Sequence, residues 1–287
     1  MDFLQHTFYM LSDEELRLRN ISGIADIIDQ RIYKYVGLED AIKYILIEKN
    51  TLKFSHPNDF NDPFDCYEGF INFSNVPSFF INEEKVAKQL NPSITKETIS
   101  KTIAILRNSN ERNKFFRETK NKYKISCFSK TYDNVLMWSH YANKNSGVCI
   151  GFEFPIEPLP KDFIICPVIY KDVVVPFDAY ANPHRIIFHW LLTKSHHWEY
   201  EQEVRAIIKE NSRKLSADGI YEIEKGWIKE IIFGCKVSTK EVEKTIRLIR
   251  KNGYKNILIK KMSINPNNFS LKEDTIADIQ NYKNKVK

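Results

Sequence analysis

Runs of β-branched and aromatic residues of strand length recur along this chain, and helical periodicity separates them only irregularly. RIYKYV (31–36), TLKFS (51–55), KISCFS (124–129), VCIGFEF (148–154), FIICPVIY (163–170), the run led by WEYEQEVRAII (198–208), KEIIFG (229–234) and NILIKK (256–261) each read as a strand. In VCIGFEF, Val148, Ile150, Phe152 and Phe154 fall on one face. Between them, Leu38, Ala41, Ile42, Ile45 and Leu46 define an amphipathic helix ending near Asn50. Ser12 with Glu15 and Ser238 with Glu241 have capping-box spacing and start helices, the first over 13–20. DNVLMWSHYA (133–142) is a short helix capped by Asp133 or Asn134, and HRIIFHWLLT follows Pro183 as another. Strands and helices are mixed without strict βαβ alternation, so the pattern predicts an α+β fold.

The 287 residues are expected to form a single domain, with an N-terminal helical segment within 1–30 and a helical insertion or lid at about 81–120. That insertion is polar and rich in Lys and Glu, with Ile99, Ile103 and Leu106 near helical spacing. HPNDFNDPFD (56–65) cannot continue a helix or a central strand and must be an ordered loop, with Phe60 and Phe64 pinning it to the body. A content of 43% hydrophobic and 13% aromatic residues suffices for a packed core. Five widely spaced cysteines without a CxxC suggest neither a disulfide framework nor a zinc site, which fits a reducing cytoplasm. No apolar run approaches the roughly 20 residues needed to cross a bilayer, and no leader pattern precedes residue 30, so a soluble protein without membrane association is expected. The net charge of +6 mildly favours encounter with nucleic acid or an anionic ligand.

Glu201 and Glu203 carry the candidate chemistry. Two positions apart at the start of a strand, they would project from one face, and like charges close together in a cleft raise one another's pKa. The competing reading is an exposed strand edge in which Arg205 pairs with one of them. His196 and His197, being adjacent on extended chain, should point to opposite faces, and no third ligand completes a metal site at familiar spacing. His140 is a conceivable base and Cys127 or Cys149 a conceivable nucleophile, although nothing in the sequence pairs them. GxxxxGK[ST] and GxGxxG are both missing, and nine glycines leave few loops able to approach phosphates. Aromatics interleaved with lysines, as in YKYV and NKYKISCF, could stack bases, though alternate Tyr and Phe on strands are more often core.

YKY, FSHPNDFNDPFD, CFS, LMWSHYANKNSGVCIGF and WEYEQEVRAI, in that order over most of residues 31–235, resemble a widespread bacterial family known only as a domain of unknown function. More distantly, the order of RIYKYV, SCFS and EQE is similar to the ADP-ribosyltransferase fold, a split mixed or antiparallel sheet. That resemblance implies Glu203 as the catalytic glutamate, Glu201 as its acidic partner, and Ser126 with Ser129 bracing the nicotinamide side. Arg31, Tyr33, Lys34 and Tyr35 compete for the first-strand position that holds NAD, with Arg31 or Lys34 suited to a pyrophosphate. Asn61 and Asp62 are candidates for ribose contacts, or simple Asx-turn caps. It further implies an NAD-dependent enzyme transferring ADP-ribose to a macromolecule; the mild basic charge tilts that acceptor slightly toward RNA or DNA over protein. By family analogy this would be a toxin or phage-defence effector, with a cognate antitoxin as a possible partner. The alternatives are a metal-dependent nucleic-acid-processing protein using the ExE pair, and a non-enzymatic partner-binding module. For the transferase, Glu203→Ala should abolish activity without loss of stability.

Overall fold

The computed structural model describes residues 30–72, 93, 95–154, 163–174, 177–178, 186–254 and 256–278. In chain order the strands are β1 (Ile32–Val36), β2 (Thr51–Lys53), β3 (Ile71–Asn72), β4 (Tyr123–Ser129), β5 (Val148–Phe152), β6 (Phe163–Pro167), β7 (Ile169–Lys171), β8 (Phe177–Asp178), β9 (Thr193–Ser195), β10 (Glu203–Lys209), β11 (Ile220–Glu222), β12 (Ile228–Phe233), β13 (Leu258–Ile264) and β14 (Leu271–Asp278). The α-helices used below are α1 (Lys96–Arg107), α2 (Ser109–Lys120), α3 (Val135–Tyr141), α4 (Ile186–Leu192) and α5 (Thr239–Lys251). The helix expected at 13–20, Pro183 and nearly all of 81–94 lie outside the described residues. The chain divides into two compact units, one of Met1–Gly23, Ser55–Lys124 and Val168–His197, the other of Ile24–Phe54, Ile125–Pro167 and Trp198–Lys287.

The second unit is built on an eight-stranded mixed sheet in the order β14-β13-β12-β5-β1-β4-β10-β6. β12 and β13 run parallel and are joined by α5, the crossover that a parallel pair needs. The pairings β1 with β4 and β5, β5 with β12, β10 with β6, and β13 with β14 are antiparallel. Alternation along the strands gives the sheet two unlike faces. On one, Ile32, Phe128, Val148, Ile150, Phe152, Val204, Ala206, Ile208, Ile231 and Phe233 form a single apolar core. Val242, Ile246 and Ile249 of α5 pack there, together with Ala41, Ile45 and Leu46.

Helix α5 begins at the capping box that Ser238 and Glu241 predict. The segment after β1 departs from expectation. One helical turn, Leu38–Asp40, runs into a π-helix, Ala41–Leu46, closed by the Ile47 N–H on the Ile42 carbonyl at 3.0 Å. The wider turn still buries Ala41, Ile45 and Leu46.

On the other face, α3 lays Met137 and Trp138 over Tyr33, Tyr35, Cys149, Ile232 and Met262. The Trp138 ring meets Tyr35 edge-on, and its indole N–H donates to the Tyr132 carbonyl at 2.7 Å. Asn134, one of the two expected caps, accepts from the backbone N–H of Leu136 and Met137. The chain leaves α3 through three consecutive left-handed residues, Asn143, Lys144 and Asn145. Gly147 closes this turn, and a Cβ there would lie 2.3 Å from the Val36 carbonyl oxygen, so only glycine fits.

In the first unit, α1 and α2 lie inside the segment expected to be helical, capped by Thr95 and Asn108. Short parallel pairs join β3 to β8 and β7 to β9. The Asp-rich loop makes a 3-10 turn at Pro57–Asp59 and an Asx-turn in which Asp62 Oδ1 accepts from the Phe64 N–H at 2.9 Å. Phe64 does not pin the loop, because its ring is exposed. Buried Pro57 and half-buried Phe60 remain against the body, and the left-handed Cys66 just beyond turns its carbonyl toward Trp190 Nε1 at 2.7 Å and Lys120 Nζ at 3.3 Å.

Candidate functional site

Register brings Ser129, Tyr33, Gly151 and Glu230 into one row across β4, β1, β5 and β12 on the face that α3 covers. Gly151 leaves a gap in this row, and the Arg31 side chain fills it, since a Cβ on Gly151 would come within 2.7 Å of Arg31 Cδ. From there Arg31 donates to Glu153 Oε1 through Nη2 at 2.6 Å and to Glu230 Oε2 through Nη1 at 3.0 Å. The Tyr33 hydroxyl also donates to Glu230 at 3.3 Å, and burial with that neighbouring carboxylate pushes its pKa up. Lys260 completes the cluster, 2.8 Å from Glu230 Oε1 and 2.7 Å from Glu273. Tyr132 lies over it, its pKa pushed up to about 12 by burial and by its hydrogen bond to Glu273.

At the other end of the row stand the two glutamates. Ser129 Oγ donates to the Glu201 backbone carbonyl at 2.6 Å, and the Lys130 N–H to that of Gln202 at 2.9 Å, tying the end of β4 to the start of β10. Simple alternation does not place the two carboxylates. Glu201 closes a 3-10 turn (His196–Glu201), Gln202 takes a left-handed φ of 44°, and β10 begins only at Glu203. Glu201 accepts a 2.6 Å hydrogen bond from the Tyr141 hydroxyl of α3. Glu203 accepts from Arg205 Nε at 2.8 Å and Nη2 at 3.1 Å, a two-pronged contact. The exposed-edge reading is overturned: Glu201 and Glu203 are 3% exposed, Arg205 0%, and β10 lies between β4 and β6.

The positions implied by resemblance separate into three groups. Arg31, Tyr33, Tyr35, Ser129 and Glu203 share the α3 face, and Glu201 meets Tyr141 at its margin. Lys34 and Ser126 are on the opposite face, where Lys34 Nζ bonds Ser126 Oγ at 3.1 Å and the Cys127 carbonyl at 3.0 Å beside the Phe128 ring. Burial pulls the Lys34 ammonium below its ordinary pKa. Asn61 and Asp62 belong to the first unit. Asp62 is buried, and its Oδ2 has no hydrogen-bond partner among the described residues.

Both thiols considered as nucleophiles are held protonated. Burial raises Cys127, as does Glu203, to which it is hydrogen-bonded, and burial beside Glu230 raises Cys149. His196 and His197 do not diverge, because they sit in a 3-10 turn rather than extended chain, with rings 5.3 Å apart. They are engaged separately, His196 with Asp172 and His197 with Ser195. Among the described residues, no group of three or more His, Cys, Asp or Glu is arranged to hold a metal ion. Nor is any described helix long and apolar enough to cross a membrane.

Sequence reasoning missed Tyr141, Glu153, Glu230 and Lys260. The first lay in a helix and family motif where only the neighbouring His140 was weighed for chemistry; the others are single charges whose convergence depends on strand register. No curated protein and no solved structure matches the chain. Residues 137–206, from α3 through the glutamate pair into β10, match a family model described as a protein of unknown function (DUF2971).

Proposed function

We propose that the chain is an ADP-ribosyltransferase-like enzyme that takes NAD as donor substrate and a macromolecule, nucleic acid before protein, as acceptor. The supporting observation is the meeting of three distant segments at one end of neighbouring strands. Tyr33 of β1 lies in register with Ser129 of β4, and Ser129 Oγ holds the Glu201 carbonyl at the start of β10. Their order along the chain, first strand, Ser-containing strand and glutamate-led strand, is the order on which the resemblance rests.

In this reading the two carboxylates have different parts. Glu203 is held by the Arg205 fork, and freeing it would break a buried ion pair, at a cost of about 3–5 kcal/mol. Glu201 is the better placed to meet a substrate, because it lies at the margin of the α3 face, where the Tyr141 that donates to it and orients it is 37% exposed. Glu201 would then set its charge against the ribose, where positive charge develops as the nicotinamide bond breaks. Glu203 and Arg205 keep the start of β10 in position. Tyr33 and Ser129 lie on the adjoining strands, and Arg31, paired with Glu153 and Glu230 further along the row, is a cation suited to phosphate on that face. A bacterial effector role, whether toxin or phage defence with a cognate antitoxin, is consistent with such chemistry.

The test is transfer of label from adenine-labelled NAD to total bacterial RNA, DNA and protein, with EDTA present. Wild type should label one fraction, Glu201→Gln should not, and Glu203→Gln should lose most transfer. Absence of both label and nicotinamide release would refute the transferase reading. Full activity in Glu201→Gln would refute the assignment of roles.

A further inference from the structure

Beyond Glu201, the site continues into a line of aromatic rings. Trp198 and Tyr200 have centroids 6.1 Å apart, Tyr200 and His140 6.4 Å, and His140 and Tyr141 6.2 Å. His140 and Tyr141 are exposed, and Trp198 and Tyr200 partly so. Val135 and Leu136, also exposed, stand on the same short helix α3. Isolated surface aromatics need no explanation, but here two exposed rings adjoin two half-buried ones, Tyr200 resting partly on the core under α3, which makes a firm aromatic surface suited to contact.

The platform is held in place. Asn134 Nδ2 donates to the Tyr200 carbonyl at 3.0 Å while its Oδ1 caps α3, so one side chain locks the turn carrying Trp198 and Tyr200 to the helix carrying His140 and Tyr141. The line ends on the candidate carboxylate, because the Tyr141 hydroxyl donates to Glu201.

We propose that Trp198, Tyr200, His140 and Tyr141 form a stacking platform for the bases of a single-stranded nucleic acid. Every base has a π-face, and only an unpaired strand offers that face to a protein ring. The net charge of +6 suits a polyanion, and Lys130 and the exposed Lys144 flank α3 in sequence. Asp133 is engaged by Thr131. Exposed Glu199 in the same turn limits the electrostatic contribution, so stacking carries recognition. The inference deepens the transferase reading by naming the acceptor class, and it rests on that reading for the platform's part in catalysis.

The experiment measures binding of the full chain, without NAD, to a fluorescently labelled single-stranded RNA or DNA oligonucleotide and to an abasic strand with the same number of phosphates. The unmodified strand should bind roughly tenfold or more tightly than the abasic one. Tyr200→Ala and the surface change His140→Ala should each weaken binding roughly 5- to 100-fold, while Tyr200→Phe retains it. Equal affinity for the abasic strand, or unchanged affinity in both alanine variants, would overturn the platform. Label transfer to protein without oligonucleotide binding would also overturn it while leaving the transferase standing. Oligonucleotide binding without NAD consumption would uphold the platform and remove the transferase.

Discussion

Replacing Arg205 by Met tests whether the Glu203–Arg205 pair supports the start of β10. Both side chains are essentially buried, and the guanidinium gives Glu203 two hydrogen bonds at 2.8 and 3.1 Å. Methionine retains much of the aliphatic volume, which keeps the cavity contribution small. What remains is the cost of leaving Glu203 buried without its cation, about 3–5 kcal/mol. With a urea m-value of about 2–3 kcal/mol per molar, the unfolding midpoint should fall by roughly 1–2.5 M without a change in m. Glu203→Gln should also destabilise, and the double variant Glu203→Gln/Arg205→Met should cost less than the sum by about 1–3 kcal/mol, since the second change removes the charge the first left unmatched. A midpoint shift in Arg205→Met below about 0.3 M, or strict additivity in the double variant, would refute the reasoning. The same argument revises the expectation that Glu203→Ala spares stability: a loss of activity there must be corrected for unfolding before it is read as chemistry.

Gly151→Ala places a Cβ 2.7 Å from Arg31 Cδ and 3.0 Å from Glu230 Cβ; it should displace Arg31 from its carboxylates and cost about 1–3 kcal/mol by urea denaturation. Tyr141→Phe removes the 2.6 Å bond to Glu201; stability should fall by only about 1 kcal/mol, because the tyrosine is partly exposed, while kcat for transfer falls tenfold or more. For Glu273, burial opposes the charge, but hydrogen bonds from Lys260 and Tyr132 more than offset it, so the folded-state pKa lies below the ordinary 4.5. Its contribution to stability is therefore present above pH 4.5 and lost as pH falls through the lowered value. The Tm gap between wild type and Glu273→Gln should accordingly be constant near neutrality and close in acid; a gap that widens in acid would contradict the assigned sign.

Much of the fold is legible because periodicity and burial coincide. Val148, Ile150 and Phe152, expected on one face of a strand, all enter the apolar core, and Ser238 with Glu241 caps α5 where the spacing places it. β14 was not anticipated: LKEDTIAD carries three acidic or basic residues in its first four positions and so lacks an apolar period. It forms because β13 offers it a long antiparallel partner. The π-helix was equally hidden, since buried positions Ala41, Ile45 and Leu46 satisfy a helical pattern at either pitch.

The glutamate pair shows where one-dimensional reasoning ends. An i, i+2 spacing implies a shared face only if the residue between is extended, and Gln202 is left-handed, a conformation that glutamine does not advertise in composition. That one residue hands Glu201 to a tyrosine from a helix 60 positions away and leaves Glu203 to the arginine two positions on. Lys34 and Ser126 are separated from Tyr33 and Ser129 by the opposite effect, strict alternation in strands that stay regular. A first-strand motif such as YKY therefore contributes to both sides of the sheet at once: its tyrosines face the candidate site, and its lysine lies against the apolar face beside Phe128. Lys34 cannot reach a ligand held over Tyr33 unless β1 itself slips by a residue, and the five paired positions between β1 and β5 oppose that slip.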